Sequence, residues 1–249
     1  MENSVKFLFS GDSALVIEFG NEISVDINKK IRKMMDNIKK ENIDGIVELV
    51  PTYCSLLINY DVLKVDYQSL VEKLKTLLND DNETVEDEEV TLIEIPTLYN
   101  DECGPDLSYV AEYNKLSKEE VIKIHTGTDY LVYMLGFMPG FTYLGGMSEK
   151  IATPRLESPR LQIYPGSVGI AGKQTGMYPS MSPGGWRIIG RTPLKLYNPD
   201  SETPVYISSG DYIRYVSISE EEYNNILKKV ENNGYKLNIH KVKRGELNA

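Results

Sequence analysis

Residues 133–197 read YMLGFMPGFTYLGGMSEKIATPRLESPRLQIYPGSVGIAGKQTGMYPSMSPGGWRIIGRTPLKLY, and glycine, proline, aromatic residues and arginine are concentrated there. Glycine permits positive φ and close backbone approach, whereas proline fixes φ and removes a donor, so their density predicts loops of defined shape. Short β-type runs separate these loops, at residues 160–163, 167–171, 187–190 and 194–197. Such a pattern is typical of a compact antiparallel barrel or sandwich.

The composition favours a folded protein and limits its partners. The chain has 249 residues, 41% of them hydrophobic, which suits one large domain or two modest ones. Its formal charge of −10 argues against nucleic-acid or anionic-membrane binding, because both need clustered Lys and Arg. The first residues lack the pattern of a signal peptide, so we expect a cytoplasmic protein. We expect two reduced thiols, Cys54 and Cys103, and with only His125 and His240 we expect no histidine-rich metal site.

The first third of the chain predicts an α+β domain of the ferredoxin-like βαββαβ type. Ile27, Ile31, Met34, Met35 and Ile38 recur at helical spacing behind Ser24, a candidate N-cap. The predicted order is β-type runs at 5–9 and 14–20, a helix at 24–41, strands at 46–51 and 53–60, a helix at 67–78 and a closing strand near 91–96. We expect this domain to span residues 1–88.

An acidic run at residues 79–89 marks the predicted domain boundary. Dense like charges repel one another and resist burial, which favours a solvated linker over an acidic docking surface or a cation site. Residues 89–249 then form the second domain.

The second domain is predicted to begin with two helices. The first runs from Asp106 to Lys115 and packs Leu107, Val110, Ala111 and Tyr113 inward, and the second follows a capping box of Ser117 and Glu120. Further elements are a strand at 130–136, strands at 204–207 and 212–216, a helix at 219–233 capped by Ser219 and Glu222, and a strand or tail at 235–242.

Several spaced motifs, taken together, resemble one family. They are GFMPGF at 136–141, YLG at 143–145, TPR at 153–155, PRL at 159–161, GSVGIAG at 166–172, QTG at 174–176, SPGGW at 182–186 and IGRT at 189–192, with GDSAL at 11–15 and GPDL at 104–107. In this order they are similar to the family of B-type 5-oxoprolinase subunits and KipI, also called allophanate hydrolase subunit 1. Two positions depart from its pattern. Thr142 stands where proline is expected. Tyr164-Pro165 stands where a proline followed by a small residue is expected.

The resemblance implies a cyclophilin-like β-barrel for the second domain and a subunit of an ATP-dependent 5-oxoprolinase. That enzyme opens 5-oxoproline (pyroglutamate) to L-glutamate in an assembly with C-type and A-type partner subunits. ATP, with Mg, would be bound mainly by or with a partner subunit. The KipI branch implies the alternative, an inhibitor of a sensor histidine kinase, and the barrel alone suggests a peptidyl-prolyl isomerase, although a fold does not fix a function.

Lactam opening sets requirements for the site: cations for a carboxylate and for phosphate, N–H donors for developing oxyanions, and a proton-transferring group. Candidate catalytic groups are His125, by its match to the family's helix-end histidine, and Asp106. The structural alternatives are that His125 binds the last carbonyls of its helix and that Asp106 is an N-cap.

Candidate binding residues come from the glycine-rich stretch. For the substrate they are Arg155, Arg160, Gln174, Tyr178, Arg191, Phe141, Tyr143 and Trp186, and Arg187 is a further cation. For the cofactor they are Gly166, Ser167, Lys173, Gly184 and Gly185, although neither glycine run is a P-loop. Surface ion pairs with Glu149 or Glu157, core packing of the aromatic residues, and glycines used for turns and bulges are the structural alternatives.

Overall fold

The chain is described at residues 5–78 and 89–248 of a computed structural model. Apart from Glu89, the acidic run predicted as the domain boundary lies outside the described residues. Contacts between Cα atoms divide the chain into two units, Met1–Thr84 and Val85–Ala249. Each unit has a hydrophobic core of its own.

The first unit pairs one antiparallel sheet with two helices. Its elements are β1 (Lys6–Phe9), β2 (Ala14–Glu18), α1 (Val25–Glu41), β3 (Ile46–Pro51), β4 (Ser55–Tyr60) and α2 (Tyr67–Leu77). The sheet order is β1-β2-β4-β3, so β4 lies between the two strands that α1 connects. The predicted inward face of α1 is confirmed, since Ile27, Ile31, Met34 and Ile38 are buried.

The second unit carries most of the strands. Its elements are β5 (Glu89–Thr97), α3 (Leu107–Tyr113), α4 (Lys118–Thr126), β6 (Asp129–Leu135), β7 (Thr142–Gly145), β8 (Arg160–Ile163), β9 (Ser167–Ala171), β10 (Gln174–Met177), β11 (Ser182–Gly184), β12 (Arg187–Arg191), β13 (Tyr212–Ser217), α5 (Glu220–Glu231) and β14 (Ile239–Lys243). They form a five-stranded sheet β14-β5-β13-β6-β7, a three-stranded sheet β10-β9-β12 and a two-stranded pair β11-β8. Both capping boxes, Ser117 with Glu120 and Ser219 with Glu222, are confirmed.

The predicted closing strand of the first domain is wrong. Residues 91–96 lie within β5, which pairs in parallel with β13 and antiparallel with β14 in the second unit. Burial explains this placement, because Leu92, Ile93 and Ile95 are all buried, as expected of a central strand covered on both faces. In the first unit, β1 takes the sheet edge next to β2.

Three other local predictions fail. Residues 194–197 and 204–207 are not strands: Leu194 and Leu196 are buried like strand residues, yet their backbone joins no described ladder. Tyr113 is 52% exposed rather than packed inward. Strand β10 was not predicted, because its sequence QTGM is poor in β-formers and depends on its hairpin partner β9. None of the helices in the described ranges is long and apolar enough to cross a membrane.

Candidate functional site

A carboxylate fixed against β12 lies at the centre of the candidate site. A Cβ atom on Gly104 would stand 2.1 Å from the carbonyl oxygen of Ile189, so only glycine lets this turn lie against the strand. Two residues later, the N–H of Asp106 donates to Ile188 O at 2.9 Å, and Ile188 N–H donates to Asp106 Oδ2 at 2.7 Å. Asp106 occupies the N-cap position of α3, as the structural alternative predicted, but its side chain makes no capping hydrogen bond to the helix.

Two arginines converge on this carboxylate. Arg160 binds it through both terminal nitrogens, each at 2.9 Å from one Asp106 oxygen, and Arg187 Nη1 lies 3.9 Å from Oδ1. The Arg187 guanidinium also stacks 3.8 Å from the ring centroid of Tyr109, and its Nε donates to Pro154 O at 3.2 Å. Two guanidinium groups thus share one negative charge, which leaves a net positive charge at the site.

An aromatic cluster adjoins the arginines. The ring of Phe141 meets those of Trp186 and Tyr178 edge to face, with centroids 5.6 and 5.7 Å apart. The Arg155 guanidinium lies 6.0 Å from the Trp186 ring. Burial raises the pKa of Tyr178 to about 12, against the opposing effect of Arg155 and Arg160, so its hydroxyl stays protonated at neutral pH.

The charge of this stretch is opposite to that of the whole chain. Residues 153–197 hold the cations Arg155, Arg160, Lys173, Arg187, Arg191 and Lys195 but a single acid, Glu157. The chain as a whole carries −10. The stretch therefore favours an anionic ligand or an anionic partner surface.

His125 lies inside the second unit. Its side chain is fully buried, and its ring nitrogens lie 2.8 Å from Tyr99 Oη and 2.8 Å from Thr175 Oγ1. Thr175 donates its hydrogen to Gly169 O, so His125 Nε2 donates to Thr175 and Nδ1 accepts from Tyr99. Burial lowers the pKa of His125 to about 3, which keeps the ring neutral. This geometry corrects the helix-cap alternative and gives a substrate no route to the ring as a general base.

The remaining predicted substrate residues are spread more widely. Arg191 stacks 5.2 Å from the ring of Tyr164, and its Nε is buried without a partner among the described residues. The departure at Tyr164 thus supplies the ring beneath Arg191, whereas Thr142 is buried at the start of β7. Gln174 begins β10 and is half-buried, and Tyr143 packs 5.2 Å from Phe141.

The predicted cofactor residues already have partners within the protein. Gly166 N–H donates to Tyr178 O at 2.7 Å and Ser167 N–H to Tyr164 O at 3.2 Å, while Lys173 pairs with Glu149. Gly184 pairs with Arg160 in the ladder of β11 and β8, and Gly185 O accepts from Leu156 N–H. The N–H groups of Gly166 and Ser167 are therefore not free donors for a phosphate.

Sequence reasoning missed the part played by Tyr109 and the pairing of Asp106 with two arginines. Tyr109 is 41% exposed on α3, and only its stacking with Arg187 connects it to the site. The available signal for this contact was the aromatic residue Tyr109, one helical turn after Asp106.

Comparison with known proteins identifies the family of this chain. Residues 5–207 match the family described as carboxyltransferase domain, subdomain C and D. Over 222 residues the chain is 46% identical to the B-type subunit of 5-oxoprolinase from Bacillus subtilis (strain 168), covering 86% of this chain and 92% of that protein. The chain belongs to the family of B-type 5-oxoprolinase subunits. The resemblance inferred from its motifs is confirmed.

Solved structures of similar chains have the same fold. The conserved uncharacterized protein PH0987 from Pyrococcus horikoshii is 50% identical, with a TM-score of 0.52 and coverage of 88% of this chain and 100% of that one. The urea amidolyase of Kluyveromyces lactis has a TM-score of 0.78 at 19% identity, covering 96% of this chain and 16% of that one. At that identity the second likeness supports the mixed α+β fold alone.

Proposed function

We propose that the chain is a subunit of an ATP-dependent 5-oxoprolinase, which opens 5-oxoproline to L-glutamate together with C-type and A-type partner subunits in the cytoplasm. The 46% identity to the B-type 5-oxoprolinase subunit over 92% of that protein carries the proposal. The arginine-rich face supports it independently, because 5-oxoproline is a small anion with an amide ring.

Binding of the substrate is assigned to the cations and rings around Asp106. Arg155 has no carboxylate partner among the described residues and lies over Trp186, so it is available to a substrate carboxylate. Arg160 is held by Asp106, and its side chain remains 32% exposed. Trp186 and Phe141 would contact the ring of the lactam, and the neutral hydroxyl of Tyr178 is oriented by burial in the same cluster.

Asp106 acts in this proposal as a positioning residue. Its two oxygens are already bound by Arg160 and by the N–H of Ile188, so it fixes the guanidinium that faces the substrate. A general-base role would require one of these oxygens to be free for a proton.

ATP would supply the driving force of lactam opening by activating the amide carbonyl, so that water attacks its carbon and the C–N bond opens. The predicted phosphate-binding residues of this chain do not fit that group well, because the N–H groups of Gly166 and Ser167 and the Lys173 ammonium are bonded within the protein. We therefore assign ATP binding to a partner subunit.

The finer description of the fold belongs to the same proposal. In the first unit, the split arrangement of β2, α1 and β3 around β4 supports a ferredoxin-like domain whose edge strand is β1. In the second unit, the two smaller sheets around the β9 hairpin support a cyclophilin-like barrel.

The test is 5-oxoproline-dependent release of ADP, measured for the chain alone and for the chain co-expressed with the subunits encoded beside it. We expect turnover only in the assembled complex. Rapid turnover by the isolated chain would overturn the partner requirement, and no turnover by a verified complex would overturn the proposed reaction.

Substitution tests the assigned face within the active complex. Arg155→Met is expected to raise KM for 5-oxoproline about 10- to 100-fold, as expected for a lost charge-assisted contact of about 1.5–3 kcal/mol. Lys150→Met removes the positive charge of an exposed residue five positions away in sequence and outside the aromatic cluster, and serves as the control. Equal KM values for the two variants would refute the assignment of Arg155.

A further inference from the structure

The hairpin of β9 and β10 has two different faces, because successive side chains of a strand point to opposite sides of its sheet. In β9, Ile170 belongs to the main core of the second unit and Ala171 to the aromatic cluster that holds Trp186. Gly169 therefore faces the cluster, as Ala171 does. Gly176 of β10 pairs with Gly169 across the hairpin and faces the same way. A pair of opposed glycines thus lies on the side of the aromatic cluster.

The indole of Trp186 lies against this glycine pair. A Cβ atom on Gly176 would stand 3.2 Å from Cζ3 and 3.4 Å from Cη2 of the Trp186 ring, and a Cβ atom on Gly169 would stand 3.3 Å from Cβ of Trp186. Neither glycine has a positive φ, so the backbone conformation does not require glycine at either position. The glycines instead leave the room that the indole occupies. We call Gly169 and Gly176 the glycine platform.

Hydrogen bonds on the core side hold the platform in place. The Thr175 hydroxyl donates to Gly169 O at 3.1 Å and accepts from Nε2 of His125 at 2.8 Å. Nδ1 of the same ring accepts from the Tyr99 hydroxyl at 2.8 Å, and the carbonyl oxygen of His125 accepts from Tyr130 Oη at 2.8 Å. His125 is therefore fixed at both ring nitrogens and at its backbone. One hydroxyl of β10 joins this fixed ring to β9.

Burial makes these contacts important for the position of the hairpin. His125 and Thr175 both have 0% of their surface exposed, so water does not replace a lost partner. A buried hydroxyl that loses its partner is costly, which favours a shift of the strand that restores a hydrogen bond. Thr175 directly precedes Gly176, so a shift of Thr175 would move the platform away from its present contact with Trp186.

We propose that His125 is a positioning residue for the aromatic wall of the substrate site. Through Thr175 it holds the glycine platform against Trp186, and the platform fixes the place of the indole that would contact the lactam ring. The inference rests on the proposed function for the role of the wall, whereas the link between His125 and Trp186 concerns this chain alone. It gives the buried histidine a role that requires no contact with the substrate.

The single tryptophan of the chain reports on this link directly. Trp186 is 7% exposed, so in the full-length chain its fluorescence should be poorly quenched by acrylamide and its near-UV circular dichroism band should be strong. Thr175→Val keeps the shape of the side chain and removes the hydroxyl, and we expect stronger quenching and a weaker band. Thr175→Ser restores the hydroxyl and should restore both signals. Wild-type signals in folded Thr175→Val, with only its stability lowered, would overturn the proposal.

Substitution of His125 tests the other end of the link. Glutamine offers an amide donor in place of Nε2, whereas phenylalanine offers no donor. His125→Gln should therefore keep the tryptophan signals of the wild type, and His125→Phe should change them as Thr175→Val does. Wild-type signals in folded His125→Phe would contradict the proposal.

Gly176→Ala tests the platform without disturbing a buried hydrogen bond. Its added Cβ would stand 3.2 Å from the Trp186 ring and from Thr142 O, closer than an ordinary contact, so the indole should move and its circular dichroism band should change. In the active complex we expect KM for 5-oxoproline to rise about tenfold with little change in kcat, as for one misplaced methyl group in a pocket. Gly234→Ala adds the same group 3.7 Å from its nearest neighbour, Lys229 O, and serves as the control.

The two readouts separate this inference from the proposed function. Equal KM values for Gly176→Ala and Gly234→Ala, in a complex that turns over 5-oxoproline, would overturn the role of the platform and leave the proposed reaction standing. A verified complex without turnover would overturn the proposed reaction, and the tryptophan signals of the isolated chain would still decide whether His125 positions Trp186.

Discussion

Replacing Asp106 with asparagine removes the carboxylate that Arg160 and Arg187 share. Asparagine keeps the shape and an acceptor for Ile188 N–H, so the loss falls on the contacts to the guanidinium groups. Breaking a buried ion pair costs about 3–5 kcal/mol. Here the Arg160 side chain is 32% exposed and regains water, which reduces the expected cost to about 2 kcal/mol.

Trp186 makes this loss measurable in the second unit. It is the single tryptophan of the chain, and its carbonyl oxygen accepts from Arg160 Nη1 at 3.4 Å. Urea unfolding followed by tryptophan fluorescence should show the loss of about 2 kcal/mol for Asp106→Asn. For a unit of this size, the loss corresponds to a fall in Tm of about 4–8 °C.

The control is Asp101→Asn. Asp101 lies in the turn before Asp106, and this variant breaks its exposed ion pair with Lys118. Asp101 is 77% exposed, so its pair should contribute less than about 0.5 kcal/mol. Equal stability of the two variants would refute the reasoning. Full stability of Asp106→Asn with no turnover in the complex would instead restore Asp106 as a catalytic acid or base.

Three further predictions concern burial and close packing. The pKa of His125 is lowered from 6.5 to about 3, so protonation favours the unfolded chain, and stability should fall by about 2 kcal/mol between pH 7 and pH 5. His125→Gln should remove that part of the pH dependence in urea unfolding, and an unchanged slope would contradict it. Asp129 is buried and accepts two hydrogen bonds of 2.6 Å from Arg214. Asp129→Asn should therefore lower the free energy of unfolding by about 3 kcal/mol in thermal unfolding. Glu149→Gln, which breaks an exposed pair, should leave it almost unchanged. Gly104→Ala would drive a Cβ into Ile189 O and should lower the free energy of unfolding by at least about 2 kcal/mol. In Gly185→Ala the added Cβ has its nearest neighbour at 3.6 Å, an ordinary contact, so this variant should keep normal solubility and Tm.

Features that depend on residues within one helical turn of each other could be predicted from the sequence. The apolar spacing of α1 gave its buried face, and the capping boxes at Ser117 and Ser219 gave the starts of α4 and α5. Each of these signals depends on residues at most four positions apart in sequence.

Features that depend on distant pairing could not be predicted. The local sequence of β5 suits a strand in the sheet of either unit. Its sheet is decided by pairing with β13, which follows it by more than 100 residues. The arginines were predicted as cations, but the partner of Arg160 lies 54 positions away in sequence and the amide that binds Asp106 lies 82 away. His125 was placed at a helix end correctly, yet its burial depends on Tyr99 and Thr175 from other elements.

The excess of positive over negative side chains at the arginine face explains how an acidic chain can bind an anion. Far from the face, the overall charge of −10 repels an anionic substrate, and within about a Debye length of it the local cations dominate. Asp106 compensates part of the charge of Arg160 and Arg187, so that two guanidinium groups can be held close together without a ligand. Arg155, which lies against Trp186, is left uncompensated. A ligand carboxylate would add the second negative charge, and because the cations are already fixed, little ordering would be required when it binds.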